Sequence, residues 1–253
     1  MELVVGIGFV TAVAAAFRST WSPCGQSMLS QITPLGERAR GHRFGATATW
    51  FILGAAVGGL TLGAVTAALA AGVAAADPST TIRLGLVAIL ALASATVDAH
   101  LFGFGPPFIR RQLNEDWLPK YRSWVYGGGF GWQIGSGVAT YVMTTAVFLL
   151  VAVGAITGSP PAALSMCMLF ALARGLAVLL AIGFTTPAVM MAFFRRFDAL
   201  APASRNAVIA VQVVVAAVAA GGAWGPGGAI VVAMVSAGAW PAVRARLTTA
   251  APS

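Results

Sequence analysis

A chain of 253 residues in which 58% are hydrophobic and only 9% charged lacks the composition of a soluble domain, where roughly a quarter of residues carry charge. That excludes a water-soluble enzyme and predicts an all-α integral membrane protein in a single polytopic domain, with the lipid bilayer as its main partner. The formal charge of +8 predicts no nucleic acid partner, because the basic residues gather in alternate connections, the pattern that orients a membrane protein.

A bilayer-crossing helix needs roughly 20 mostly apolar residues. That rule predicts spans at 3–32, 46–73, 82–104, 125–156, 162–184, 207–224 and 227–243. Glu2 stands where a secretory signal carries basic residues, so the first segment reads as a retained span. Trp21-Ser22-Pro23-Cys24-Gly25 interrupts it. A proline removes a backbone donor and kinks a helix at a cost of roughly 3 kcal/mol. In a bilayer such a break stands only where protein or a water-filled cavity satisfies the freed groups. Cys24 thereby falls at the start of a half-helix, where the positive dipole end favours a thiolate; an inert packing cysteine is the alternative reading.

Arg38, Arg40 and Arg43 follow the first span, and the connection over 74–81 carries only Asp77. Arg18 and Asp98 lie near one end of the first and third spans, with His100 close by. The loop 105–123 holds Pro106-Pro107, Arg110, Arg111, Trp117, Lys120, Tyr121 and Arg122. It reads either as an amphipathic segment at the headgroup level or as a docking surface for a cytoplasmic partner. The fourth span opens on Gly127-Gly128-Gly129-Phe130-Gly131-Trp132-Gln133-Ile134-Gly135-Ser136-Gly137, a candidate second break or a close-packing face. Its Gln133, Ser136, Thr140, Thr144 and Thr145 either line a path or bond between helices. In the fifth span Cys167 lies between Met166 and Met168, and Arg174 falls near mid-depth, where a charge needs a cavity or a partner. Asp98 is the acid placed to reach it, so Asp98 is expected to pair with Arg174 or Arg18. Arg195, Arg196 and Arg205 follow this span, and Arg244 and Arg246 follow the seventh. The alternation sets the N-terminus outside and the C-terminus inside.

Two halves, about 1–104 and 124–224, each open on an irregular helix. That arrangement fits a six-helix 3+3 inverted repeat with a seventh helix added at about 227–243. The two cysteines are too few for a zinc site, and no disulfide framework is expected.

Ser22-Pro23-Cys24 late in the first span, the basic turn after it, the glycine-rich second span and Gly129-Phe130-Gly131-Trp132 opening the fourth resemble the CcdA/DsbD transmembrane family. The resemblance covers about residues 4–224. It implies the six-helix inverted repeat, a place in the cytoplasmic membrane, and thiol–disulfide exchange without a bound cofactor. It also implies thioredoxin-like partners on either side and a role in cytochrome c maturation. On that reading Cys24 is the exchanging thiol, Pro23 sets its geometry and Cys167 is the resolving partner. The family's fourth span carries a second proline–cysteine, and here Gly131 to Gly137 contains neither residue. Two other readings stay open: a small-solute or metal-ion transporter whose broken first and fourth helices hold the cargo, with Arg174 attracting anions or Cys24 binding a thiophilic cation, and an assembly scaffold acting through loop 105–123.

Overall fold

The computed structural model describes residues 1–101, 103, 105–106 and 116–249, the side chains of 239–249 excepted. Residues 107–115 of the long polar loop, Arg110 and Arg111 among them, lie outside the described residues. So do the side chains of Arg244 and Arg246. The described elements are helical throughout, with no strand among them.

The chain runs α1 (Glu2–Ser19), α2 (Pro23–Gln31), α3 (Pro34–Ala39), α4 (Phe44–Ala76), α5 (Thr80–Asp98), α6 (Trp117–Lys120), α7 (Ser123–Ser136) and α8 (Ala146–Ile156). Then follow α9 (Pro160–Leu176) with a 3-10 extension over Ala177–Gly183, α10 (Pro187–Ala199), α11 (Ala201–Trp224) and α12 (Pro226–Thr249). Among the described residues five stretches are long and apolar enough to cross a membrane: Glu2–Ser19, Phe44–Ala76, Thr80–Asp98, Pro160–Gly183 and Ala201–Trp224. They are the helices of a multi-pass membrane protein.

Several starts share one device. Ser22, Thr33 and Thr186 each precede a proline and accept a hydrogen bond from the backbone N–H three residues on, at 3.1, 2.9 and 3.4 Å. The hydroxyl satisfies one orphan donor while the proline, lacking an N–H, creates none. The first span is accordingly broken at Thr20 to Ser22, where its Pro23 required a break.

Three boundaries differ from expectation. The third helix stops at Asp98 rather than near 104, because His100 turns into the left-handed region at φ 56°. The glycine run 127–137 is continuous helix up to Ser136, and the fourth segment breaks later, over 137–145. Those glycines form a packing face: a Cβ on Gly131 or Gly135 would collide with the carbonyl oxygens of Phe51 or Ala55 on α4. Such contact between backbones is how helices hold together where lipid offers no hydrophobic drive. Third, the stretch between the fifth and sixth spans forms α10, whose Phe193, Phe194 and Phe197 pack with Trp21, Leu29 and Phe184.

Around this frame α4 lies against α7 and α9, α5 against α11, α1 against α8 and α9, and α12 against α11. At the arginine-poor end the buried Arg83 donates to the carbonyls of Pro78 (2.9 Å), Ile156 (3.3 Å) and Thr157 (2.8 Å). One guanidinium thus joins the turn after α4 to the turn after α8.

Candidate functional site

The first break follows from Ser22 and Pro23, which restart the helix as α2 and leave Thr20 to Ser22 outside regular structure. Trp21 covers the gap. Its indole stacks on Phe197 at 4.4 Å and 5°, and its Nε1–H donates to the Phe197 carbonyl at 2.8 Å. Cys24, 1% exposed, packs with Met28, Ile32, Phe51, Tyr126 and Phe130. Beside it stands Arg174 of α9, 4% exposed and within electrostatic reach of Cys24. Arg174 Nη1 donates to the Ile134 carbonyl at 2.7 Å, and its guanidinium lies 5.5 Å from the Phe170 ring centre. Ile134 is in the last turn of α7, where carbonyls lack intrahelical donors, so the cation sits on the negative end of a half-helix. Between Arg174, Ile134, Phe51, Met28 and Thr20 lies a cavity of about 20 Å³, room for a single water.

The second break is organised around Asp98, 3% exposed at the end of α5. Its Oδ2 accepts from the Thr144 hydroxyl (2.5 Å) and Gln212 Nε2 (2.9 Å), and its Oδ1 from the Thr145 N–H (2.8 Å). Ser94 extends the network, accepting from Gln212 Nε2 at 3.0 Å and sharing a 2.6 Å hydrogen bond with the Thr145 hydroxyl. Three donors satisfy a buried carboxylate without a cation. The expected pairing of Asp98 with Arg174 or Arg18 does not form: Arg18 Nη1 donates to Ser204 Oγ at 3.0 Å and Arg174 to Ile134. Among the described residues the ion pairs are Arg40–Glu37 and Arg83–Asp77.

The remaining candidates scatter. Gln133 is half-buried, and its carbonyl accepts from Ser136 Oγ at 2.8 Å. This is a local helix contact, so the fourth segment reaches Arg174 through the Ile134 backbone instead. Cys167 is fully buried between α9 and α4, donating to Thr66 Oγ1 at 3.5 Å. Neither cysteine is in a disulfide, and the two belong to different core clusters. Cys167 precedes Arg174 by two turns, about 10 Å along the helix. Thr144 and Thr145 do bond between segments, whereas Thr140 Oγ1 and Gln212 Oε1 are buried atoms without partners.

Sequence reasoning missed Glu37. This acid, 0% exposed, accepts from Thr47 (2.5 Å), Tyr126 (2.7 Å) and Arg40 (2.8 Å), fastening the turn before α4 to α7. Its one signal is being the sole acid inside an arginine-rich turn. Gln212 was missed too, because a single amide in an apolar helix resembles any other. No group of three or more His, Cys, Asp or Glu able to hold a metal occurs among the described residues.

No family model matches the chain, and no solved structure does. The chain is similar to the methylamine utilization protein MauF of Paracoccus versutus, 32% identical over 70% of this chain and 64% of that protein. The MauF of Methylobacillus flagellatus is 32% identical over 69% of this chain and 62% of that protein. The MauF of Paracoccus denitrificans is 31% identical over 66% and 60%. The chain therefore spans less than two thirds of the length of these curated relatives. These likenesses correct the CcdA/DsbD expectation. The thiol–disulfide carrier, its thioredoxin-like partners and the role in cytochrome c maturation are set aside, and the transporter alternative gains no support. A proline–cysteine on a broken helix proved too general a geometry to name a family. Here the side chain that reaches the break from α9 is an arginine, while the second cysteine packs elsewhere.

Proposed function

We propose that this chain works in methylamine utilisation as a multi-pass protein of the cytoplasmic membrane. The observation that carries the reading is its likeness, at 31–32% identity, to three MauF proteins named for that process. Its finer architecture is an inverted repeat with seven spans, the N-terminus outside and the C-terminus inside. Contacts between corresponding helices support the repeat: α1 meets α8, α4 meets α9 and α5 meets α11, the pairings that two superposable halves related by a pseudo-two-fold would make. The arginine-rich connections support the orientation.

Within this frame the first break is the working centre. Among the described residues Arg174 is a buried cation with no carboxylate partner, and a charge at that depth is costly to keep. Pro23 restarts the helix after the break, and Cys24 follows it, buried in the first turn of α2. Deleting the chain from its native host, with methylamine as the sole nitrogen source, tests both levels. Growth should stop on methylamine and continue on ammonium. The unaltered chain should restore it and Arg174→Met should not, although immunoblots find both in the membrane. Undiminished growth of the deletion strain on methylamine would end the reading. Full rescue by Arg174→Met would remove the first break from it.

A further inference from the structure

A guanidinium carries five N–H donors, and Arg174 commits one of them, to the Ile134 carbonyl. Among the described residues it makes no other hydrogen bond, and neither ion pair includes it. The carbonyl end of α7 offsets about half a unit charge. The remainder stays uncompensated on a residue only 4% exposed.

The cavity of about 20 Å³ at this guanidinium has further features that favour negative charge. Ser19, 3% exposed, lines it, and among the described residues the Ser19 hydroxyl has no hydrogen-bond partner. Gly25, in the first turn of α2, lines it as well, so the positive end of that half-helix borders the same space. The Thr20 hydroxyl is already committed, donating to the Ala16 carbonyl at 3.2 Å. No acid is among the lining residues, and most of the remaining wall is apolar: Met28, Leu29, Phe51, Ala177 and Val178.

We propose that the first break holds a single resident halide, chloride in the cell, between Arg174 and Ser19. A water of the same size satisfies the donors and leaves the charge, whereas a halide meets both needs. Phosphate, sulfate and carboxylates are too large for a space that admits one water. The ion's part in the protein's work rests on the reading of this break as the working centre; its binding does not.

The test is the melting temperature of the purified full chain in neutral detergent, with gluconate replaced stepwise by chloride at constant ionic strength. Chloride should raise it saturably, by roughly 3 °C at a few-fold excess over Kd. Arg174→Met should abolish the rise, while Arg205→Gln, which removes a cation outside the break, should keep it. Ser19→Ala retains the cation and should raise the chloride midpoint roughly 10-fold. If Arg174→Met does not fold, the Ser19→Ala midpoint decides. A melting temperature blind to chloride, a rise that never saturates, or one that survives Arg174→Met would overturn the site and leave the cavity to water. Sulfate matching chloride would show surface screening and overturn it too. The two readings fail separately: a deletion strain that grows on methylamine leaves the chloride response standing, and a missing response leaves the growth test intact.

Discussion

At 20–22 the chain leaves its helix for three residues and is roofed by Trp21 lying on Phe197, while at 137–145 it leaves for nine and is held by Asp98. The two interruptions handle buried charge in opposite ways. Asp98 draws its donors from α11 and from the broken segment itself, and each oxygen is met. Arg174 reaches the first break with one hydrogen bond to a helix-end carbonyl and a cavity the size of a water. A buried carboxylate met at both oxygens anchors the segments around it, even with Thr140 Oγ1 and Gln212 Oε1 unpartnered, whereas a buried cation with a single hydrogen bond costs stability. The second break therefore reads as architecture, and the first is the one we propose as the working centre.

The contrast breaks most visibly at Asp98. Asp98→Ala leaves three donors facing one another and should cost about 2–4 kcal/mol, the sum of three charge-assisted bonds in a bilayer. SDS titration of the protein in mixed micelles measures this, and a variant as resistant as the unaltered chain would undo the architectural reading. Next comes Trp21→Phe, which keeps the ring stack and removes the hydrogen bond to Phe197, at about 1 kcal/mol. A larger loss in the same titration would show the roof to be held by the indole N–H rather than by stacking. The smallest effect is expected at Arg174→Met. An apolar side chain of similar length should leave unfolding within about 1 kcal/mol of the unaltered chain. If it proves as damaging as Asp98→Ala, the two breaks are alike and the distinction falls.

Much of the frame was legible in the chain because length and hydropathy are local. Pro23 announced the first break, and the second and fifth apolar stretches became helices within about three residues of their expected ends. What could not be read was set by tertiary approach. The glycines of 127–137 read equally as a break or as a packing face until α4 was seen against them. The actual break lies in a threonine-bearing stretch whose irregularity exists because Asp98 and Ser94, far off in sequence, bind it. Arg174 stood out as an intramembrane cation, but its partner is a backbone carbonyl, which no residue identity encodes. The pairing expected between Asp98 and an arginine failed for the same reason: uncharged donors arrived first. Cys24 was correctly placed on a half-helix start, yet the family inferred from it was not.

Arg83 carries a consequence at the opposite end of the molecule. Because a single side chain grips carbonyls belonging to two hairpin bends, neither bend can loosen alone. Losing that one cation would therefore strip both bends of their shared donor at a single stroke.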